Sequence, residues 1–389
     1  MKETASSFER GIGFSLTEEQ QLLQNMARDF ARHEIIPVAN QYDKSHEFPW
    51  PVIRKAHELG LTTMTIPKVY GGSGLSLLDE CIVTEELSYG CSGIYTSTTV
   101  NGLAALPLLL AGSDEQKRAY FGRLLKGEMA AYCLSEAAAG SDVAGIQTTA
   151  RRDGDSYVIN GSKTFITNAS VANWFSVFAY TDPATRYKGM SAFIVDRQTP
   201  GVSVGKPFDK MGQRASNTAE VIFENVRVPA ANLIGKEGEG FLLVMKVFDR
   251  SRVPTSAAAV GVARRALEES IRFARERKAM GKPIWQHQAV GHMIADMATK
   301  VEAARLLVWQ AAVACDRGQP NSAHSAMAKA YAADIAMQVC TDAVQVFGGY
   351  GYIEEYPVAK LMRDVKIFQI YEGTSQIQRN IIVRELFRE

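Results

Sequence analysis

The sequence has few cysteines, no surplus of charge of one sign and no metal-ligand pattern. Its five cysteines are odd in number and scattered, and none forms a CxxC pair, which argues against a disulfide scaffold and a thiolate zinc site. The six histidines contain no HExxH. Because 43 basic residues face 42 acidic ones, the net charge is +1, and no positive field exists to hold nucleic acid or an anionic membrane. We expect no metal and no nucleic-acid partner.

The sequence also lacks a long apolar run and a leader. The longest run, residues 103–111, contains Pro107 and has about half the length that a bilayer span needs. The first residues, MKETASSFERG, lack the apolar core of a signal peptide. Free cysteines fit a reducing compartment. We therefore expect a soluble protein of the bacterial cytoplasm without a membrane span, although a mature organellar protein would look the same.

Hydrophobic periodicity divides the chain into three parts. Residues 1–127 show mainly helical spacing, residues 128–236 contain short β-type runs, and residues 237–389 return to long helical segments. Long helices joined by short loops are typical of a four-helix bundle. The sequence thus predicts a mainly α protein with an N-terminal helical domain, a small β-barrel or sandwich in the middle and a C-terminal four-helix bundle.

Local signals refine this outline. Thr17 and Gln20 form a capping box at the start of a helix, and Pro37 predicts a stop or kink. In the middle part, Asn160-Gly161 stands between two β-type runs and is a strong signal for a hairpin turn. The sequence therefore predicts separate strands on either side of that pair.

Motifs that announce common cofactors are absent. No GxGxxG follows a predicted strand, which excludes a Rossmann domain, and composition alone would not suggest a flavin. Residues 131–142 (AYCLSEAAAGSD) nevertheless combine small residues, hydroxyls and an acid where the first helical part meets the β part. Such a loop can offer backbone amides to a flat or anionic ligand. A plain Gly/Ala linker with a capping serine is the alternative, and from composition it is the commoner one.

A second segment, residues 370–379 (IYEGTSQIQR), places Glu372 between an apolar run and Gly373. Thr374 can cap the helix that follows. Glu372 is either an acid that favours a helix N-terminus or a carboxylate held among apolar groups, with a raised pKa suited to a general base. The helix start opposes that pKa shift, so burial has to outweigh it.

Both segments, their separation and the α–β–α order resemble the acyl-CoA dehydrogenase family, most closely its medium-chain and short-chain members. The resemblance covers essentially the whole chain. Besides IYEGTSQIQR, the blocks that carry it are RDFARHEIIP (28–37), IPKVYGGSG (66–74), EELSYG (85–90), KMGQ (210–213), ERKAMGKP (276–283) and VFGGYG (346–351).

The resemblance implies an FAD enzyme that converts an acyl-CoA thioester to trans-2-enoyl-CoA, as in fatty acid β-oxidation. Glu372 would remove the α-proton, its backbone amide would bind the thioester carbonyl, and flavin N5 would take the β-hydride. The resemblance further implies a homotetramer, built as a dimer of dimers, that passes electrons to electron-transferring flavoprotein. An oxidase of the same fold and a non-catalytic CoA-ester binder are the alternatives.

By the same resemblance, two sets of residues bind the ligands. The expected FAD contacts are Tyr132, Leu134, Ser135, Ser141, Phe165, Ile166, Thr167, Thr374 and Gln376, with Arg277, His287, Gln288, Gln345, Gly348 and Gly349 contributed by a neighbouring subunit. The expected substrate contacts are Ser141, Asp249, Arg252, Tyr371, Gly373, Tyr95 and Thr99.

The chain departs from the family pattern at a few positions. Ala137 and Ala138 replace the usual Pro and Gly, Phe165 stands where a Trp is common, and Met280 replaces a ring-packing Phe. None of these changes removes a catalytic group.

Three positions bear on the substrate. Ser251 occupies the place where isovaleryl and long-chain relatives carry their base, so that assignment is disfavoured here. Tyr95 carries no charge where glutaryl-type enzymes have Arg, and with Thr99 it replaces the Gln and Glu of medium-chain enzymes. We expect Tyr95 to shorten or reshape the pocket in favour of a short-to-medium, branched or cyclic acyl group.

Overall fold

The computed structural model describes residues 15–388 of the chain. Its first part is helical, and the capping box predicted at Thr17 and Gln20 is confirmed. The chain leaves the first helix through a π-helical stretch, Ala31–Ile35, and Pro37 stands in the first turn of the next helix, where its missing N–H is tolerated. The α-helices of this part are α1 (Glu18–Phe30), α2 (Ile36–Ser45), α3 (Trp50–Glu58), α4 (Leu77–Gly90), α5 (Ser92–Ala111) and α6 (Asp114–Leu125).

The middle part is one mixed sheet with the strand order β6-β7-β3-β2-β4-β5-β8, and β1 pairs with β4 in parallel. The other long pairings, β2–β3, β3–β7 and β4–β5, are antiparallel. The strands are β1 (Ala130–Cys133), β2 (Thr149–Asp153), β3 (Ser156–Thr167), β4 (Trp174–Tyr180), β5 (Met190–Asp196), β6 (Val202–Val204), β7 (Thr218–Pro229) and β8 (Leu233–Ile234).

The hairpin predicted at Asn160-Gly161 is wrong, because both residues lie inside the continuous strand β3. The β3–β7 register shifts at this point, which marks a bulge. A Cβ on Gly161 would lie 2.5 Å from Thr148 Oγ1, and Asn160 Oδ1 accepts a hydrogen bond from the amide of Asn225. The pair therefore serves close packing and the bulge instead of a turn.

Helix α5 continues through Pro107, which stands within the longest apolar run of the sequence. Proline lacks the N–H that would bond to Leu103 O, so one ladder hydrogen bond is missing. The helix is joined to the sheet by the Ser176 hydroxyl of β4, which donates to Ala104 O at 2.7 Å. Among the residues described, α5 is the one helix long and apolar enough to cross a membrane by length and composition. Most of it is buried inside the fold, which is typical of a core helix.

The C-terminal part is a bundle in which α9 packs against α7, α8 and α11. The predicted order of a helical, a β and a helical part is confirmed. The predicted limits at 127/128 and 236/237 fall between elements, after α6 and after β8, and remain predictions. The elements are α7 (Gly240–Glu276), a ribbon of β9 (Lys278–Ala279) and β10 (Lys282–Pro283), α8 (Gln288–Asp316), α9 (Ser322–Phe347), α10 (Pro357–Val365) and α11 (Ser375–Leu386).

The two helical parts join where α4 crosses α7. A Cβ on Gly261 would lie 2.3 Å from Glu85 O, so the two backbones approach too closely for any side chain. The contact is reinforced by the Ser88 hydroxyl, which donates to Ala258 O at 2.8 Å, and by an ion pair of 2.6 Å between Arg264 and the buried Glu86. This crossing sets the position of α7, which carries part of the site described below.

We expect the substitution Gly261→Ala to destabilise the protein by about 1–3 kcal/mol, since one of the two backbones has to move to admit the methyl group. Gly122→Ala in α6 is the matched control, because a Cβ there meets no atom within 4 Å. Removing a helical glycine should leave stability unchanged or raise it by up to about 1 kcal/mol. Thermal unfolding measures both variants, and equal melting temperatures would contradict the close approach.

Candidate active site

Glu372 lies in a turn between the short 3-10 helix Lys366–Gln369 and α11. Its backbone is left-handed, with φ of +56°, and Gly373 follows with φ of +86°. A left-handed conformation costs a non-glycine residue about 1–3 kcal/mol, so the surroundings have to hold it. A Cβ on Gly373 would lie 2.7 Å from Gln378 Nε2. The backbone conformation therefore favours glycine at position 373, and a side chain there would displace the Gln378 amide from its place.

Three side chains donate hydrogen bonds to the two carbonyl groups of this turn, and we call them the carbonyl clamp: Arg252, Lys329 and Gln378. Arg252 Nε donates to Glu372 O at 3.3 Å, and Lys329 Nζ donates to Gly373 O at 2.5 Å. Gln378 Nε2 donates to both oxygens, at 3.0 and 2.9 Å. Among residues 15–388 no hydrogen bond uses the amide N–H of Glu372. That amide remains available to a ligand.

The Glu372 carboxylate accepts a hydrogen bond of 2.6 Å from Ser251 Oγ of α7. Burial raises the pKa of Glu372, while the Ser251 hydroxyl and the positive charges of Arg252 and Lys329 oppose that shift. The balance is a raised pKa, as expected of a carboxyl group held among apolar groups. The groups that oppose the effect of burial on the pKa of Glu372 are thus side chains of neighbouring helices. From the sequence, only the start of the next helix could be expected to oppose it.

Asp249 and Arg252, two of the expected substrate residues, form one network on α7. Arg252 Nη1 lies 3.1 Å from Asp249 Oδ1, and the nearly buried guanidinium stacks over the Phe248 ring at 5.4 Å. The Ser322 hydroxyl donates to Asp249 Oδ2 at 2.6 Å, and Asn321 Nδ2 donates to Asp249 O at 3.2 Å. Asp249 therefore links α7 to the start of α9, and Arg252 reaches the Glu372 turn.

Tyr95 and Tyr371 are the aromatic residues expected in the substrate pocket. Tyr95 is buried on α5; burial raises its pKa, and the negative charge of Glu372 adds to the effect. Burial likewise raises the pKa of Tyr371, whose hydroxyl accepts a long hydrogen bond of 3.4 Å from Gln213. Thr99 donates its hydroxyl to Tyr95 O at 3.1 Å, within its own helix. Tyr95 thus lies in the electrostatic reach of Glu372.

Tyr132, on β1, also lies near Glu372. Its hydroxyl is buried and has no hydrogen-bond partner among the residues described, and burial together with the charge of Glu372 raises its pKa. The ring packs against Phe178 and Phe248, with centroids 5.1 and 6.4 Å away. A buried hydroxyl without a partner is costly in an otherwise satisfied protein, and it marks a place where a ligand can supply the missing bond.

The loop that follows β1 is held by a buried ion pair. Lys163 of β3, which is fully buried, donates to Glu136 Oε1 at 2.7 Å and to Leu134 O at 3.1 Å. Glu136 also accepts hydrogen bonds from the amides of Gln147 and Thr148 and from the Thr148 hydroxyl. Burial works to raise the pKa of Glu136, but the Lys163 charge and these hydrogen bonds outweigh it and lower the pKa.

The pair fixes the shape of the loop. The main chains of Glu136 and Ala139 bond to each other in both directions, at 3.1 and 3.0 Å, with Ala137 and Ala138 exposed at the tip. The loop is therefore closed by side-chain and backbone bonds without the Pro and Gly of the family pattern. Ser135 is partly exposed beside it, and Ser141 is exposed.

Phe165 is presented to solvent at the end of β3. Its side chain is 67% exposed and its backbone is left-handed, with φ of +57°. The β3–β7 register shifts here as well, so the strand turns Phe165 outward while Ile166 stays buried. The Phe208 ring lies 5.4 Å away. An exposed aromatic face beside a loop with free hydroxyls fits the flat ring of FAD, the cofactor that the resemblance implies.

The remaining expected FAD residues occupy two other places. Thr374 caps α11 by accepting a hydrogen bond from the Ile377 amide, which confirms the predicted cap, and Gln376 is exposed in the first turn of that helix. The set expected from a neighbouring subunit gathers at one end of the bundle, and among the residues described no hydrogen bond or ion pair joins it to Glu372. That set is Arg277, His287, Gln288, Gln345, Gly348 and Gly349.

Contacts hold this end of the bundle together. The Arg277 guanidinium lies over the Tyr350 ring at 5.5 Å, and a ring nitrogen of His287 lies 3.1 Å from Ala279 O. Met280, which replaces the family's Phe, is 93% exposed on the β9–β10 ribbon. Its side chain is therefore almost entirely uncovered by the residues that the structure describes.

Sequence reasoning missed the residues that hold the site in place. Lys329, Gln378, Glu136 and Lys163 were not singled out, and Ser251 was considered only as an absent base. One signal was available: Lys329 is a single charged residue within the apolar string SAMAKAYAA, and a lysine is seldom buried without a partner. Partners far apart in the chain, such as Lys163 and Leu134, left no such signal.

Family models match the chain in three consecutive parts. The acyl-CoA dehydrogenase N-terminal domain matches residues 17–128, the middle domain matches residues 131–226, and the C-terminal domain matches residues 238–387. Members of this family are FAD enzymes.

Similar proteins agree with that match. Cyclohexane-1-carbonyl-CoA dehydrogenase of Geobacter metallireducens is 44% identical over 97% of this chain and 99% of its own length. The solved structure of butyryl-CoA dehydrogenase from Megasphaera elsdenii is 39% identical, covers 97% of this chain and all of its own, and has a TM-score of 0.94. A chain in a structure described as the electron transferring flavoprotein of Acidaminococcus fermentans is 44% identical with the same coverage, at a TM-score of 0.95. The protein therefore belongs to the acyl-CoA dehydrogenase family of FAD-dependent oxidoreductases.

Proposed function

We propose that this enzyme removes the α-proton and β-hydride of an acyl-CoA thioester to give trans-2-enoyl-CoA, with Glu372 as the base. One observation carries the proposal: a carboxylate with a raised pKa lies in a strained turn whose carbonyl groups are occupied, and the amide N–H of the same residue has no partner among residues 15–388. A base and an adjacent hydrogen-bond donor on one residue are what α-proton removal from a thioester requires.

In this proposal each group around Glu372 has a separate role. The amide of Glu372 donates to the thioester carbonyl and stabilises the negative charge that develops when the α-proton leaves. The carboxylate takes that proton, and the Ser251 hydroxyl, 2.6 Å away, orients it. FAD, when bound, accepts the β-hydride. The buried aromatic rings around Glu372 exclude water and keep the electrostatic effects strong.

The FAD site is proposed from residues that fit its parts. The exposed ring of Phe165, with Ile166 and Thr167 next to it in β3, would lie against the flat ring of FAD. Ser135 and Ser141 lie on the loop that Lys163 and Glu136 hold. The Tyr132 hydroxyl has no partner among residues 15–388 and could bond to the cofactor. The exposed residues at the far end of the bundle fit the second half of a site shared between subunits. We therefore propose the homotetramer and the three domains 1–127, 128–236 and 237–389, with the FAD contacts expected above.

The substrate is proposed to be a short-to-medium, branched or cyclic acyl-CoA. Support comes from the buried Tyr95, whose pKa is affected by the charge of Glu372, and from the names of the similar proteins, which act on cyclohexane-1-carbonyl-CoA and butyryl-CoA. Thr99 contributes packing through α5 instead of a free hydroxyl. We propose electron-transferring flavoprotein as the electron acceptor and the cytoplasm as the compartment.

Anaerobic titration of the purified enzyme with acyl-CoA esters tests the reaction, because flavin absorbance bleaches when substrate is oxidised. We expect Glu372→Gln to slow bleaching by about 10³-fold, since an amide cannot take the α-proton. FAD content should remain that of the unaltered enzyme. Bleaching at an unaltered rate would contradict Glu372 as the base, and hydrogen peroxide release in air would indicate an oxidase.

The substitution Tyr95→Ala tests the pocket. We expect kcat/KM to shift towards longer acyl chains by about 10–100-fold relative to butyryl-CoA, because a void then replaces the ring. Tyr187→Ala is the control, since that tyrosine is exposed on the 3-10 helix Pro183–Gly189. The measurement is kcat/KM over a series of esters graded in length, branching and ring content. An unchanged chain-length profile would show that Tyr95 does not line the pocket.

The substitution Lys163→Met tests whether the ion pair with Glu136 holds the loop that follows β1, which carries Ser135 and Ser141 of the proposed FAD site. It leaves the buried Glu136 carboxylate without its cation and releases Leu134 O, so we expect a loss of about 3–5 kcal/mol in stability together with weaker FAD retention. Lys206→Met, at an exposed position, should change neither quantity. The double variant Glu136→Gln/Lys163→Met should recover part of the loss. FAD retention equal to that of Lys206→Met would exclude this role for the ion pair.

A further inference from the structure

We propose that Lys329 is a positioning residue for the base: its ammonium group holds the Glu372–Gly373 turn and keeps the Glu372 carboxylate ionised. This inference rests on the proposed role of Glu372. It concerns a residue of α9 that lies 43 positions before the base and takes no part in the chemistry itself.

The side chain of Lys329 is almost completely buried. Among residues 15–388, however, no carboxylate lies within ion-pair distance of its Nζ. Its hydrogen bond goes to Gly373 O, at 2.5 Å. Lysine is almost never fully buried without an acid partner, because desolvating an ammonium group is costly. Some nearby negative charge has to stabilise it, and Glu372 is the acid whose charge acts on it most strongly.

The carbonyl clamp shows why a charged donor is needed at the Glu372–Gly373 turn. The left-handed turn at Glu372 is strained. Its two carbonyl oxygens accept hydrogen bonds from Arg252, Lys329 and Gln378. Gln378 spans both oxygens but is neutral. Hydrogen bonds from charged donors are roughly twice as strong as those between neutral groups. Lys329 and Arg252 are thus the stronger of the restraints that offset the strain.

The same ammonium group acts on the protonation of the base. The positive charges of Arg252 and Lys329 lower the pKa of Glu372 against the effect of burial. In return, burial lowers the pKa of Lys329 to about 8, while the charge of Glu372 opposes that shift. The titratable and charged groups around the pair come from five elements and from the turn itself. They are Tyr95 on α5, Tyr132 on β1, Asp249 and Arg252 on α7, Asp334 on α9, Arg379 and Arg384 on α11, and Tyr371 beside the base.

The sign of the effect follows directly. The active base is the carboxylate, so the rate rises with pH through the pKa of Glu372. Burial raises the pKa of Glu372, and the positive charge of Lys329 works against that rise. When the charge is removed, the pKa of Glu372 therefore rises further. We expect the acid limb of the kcat/KM profile of Lys329→Met to move to higher pH by about one unit. Lys329→Arg keeps the charge and should keep the limb in place.

The experiment compares kcat/KM from pH 5.5 to 9 for the unaltered holoenzyme, Lys329→Met, Lys329→Arg and Lys246→Met. Lys246 is the matched control, since it is an exposed lysine of α7. A merely structural role for Lys329 would lower kcat equally at every pH without moving the limb, and that result would overturn the proposal. If Lys329→Met fails to retain FAD, Lys329→Gln, which keeps a hydrogen-bond donor but not the charge, should show the same shift.

A second readout separates this proposal from the proposed reaction. Infrared difference titration of the holoenzyme, with Glu372→Gln as the blank, follows the carboxyl group of Glu372 without turnover. Lys329→Met should raise its titration midpoint by about one unit relative to the unaltered enzyme. An unchanged midpoint would overturn the role of Lys329 even where acyl-CoA esters bleach the flavin. A raised midpoint in an enzyme that no ester bleaches would support Lys329 and reject the reaction.

Discussion

The structure depends on one strained turn, the left-handed backbone at Glu372 and Gly373. That conformation is unfavourable for glutamate and persists because donors from α7, α9 and α11 converge on its carbonyl oxygens. The packing of the bundle therefore maintains this turn, because Arg252 and Lys329 reach it only if α7 and α9 are correctly placed. The close crossing of α4 and α7 at Gly261 sets the first of these positions. Fold and site are connected through this chain of contacts.

Much of the fold could be predicted because helical periodicity and capping are local properties. The long helical segments predicted for residues 237–389 correspond to α7, α8 and α9. The hairpin at Asn160-Gly161 could not be excluded locally, since the same dipeptide serves a tight turn or a bulge in a long strand. What decides is the neighbour, Thr148, which approaches the glycine too closely for any Cβ. That information lies in the tertiary structure.

The site divides in the same way. Glu372 could be singled out because it stands between an apolar run and a glycine, but its assignment as the base came from the family resemblance. Thr374 could be identified as a cap from its spacing. The partners of Glu372 could not be identified, because Ser251 and Lys329 lie 121 and 44 positions away from the residues they bind. Whether burial or neighbouring charge controls the pKa of Glu372 is a question of their joint geometry. The structure answers it with burial prevailing over three opposing groups.

The contact between Ser251 and Glu372 also accounts for a feature of the family resemblance. Some relatives carry their base at the position of Ser251, far from Glu372 in sequence. Here the Ser251 hydroxyl lies 2.6 Å from the Glu372 carboxylate, so the two backbone positions deliver side chains to the same point in space. A carboxylate can reach that point from α7 or from the turn before α11. Only the turn places an amide N–H that has no partner among residues 15–388 on the same residue as the proposed base, and in that proposal Ser251 supplies the donor that orients the carboxylate.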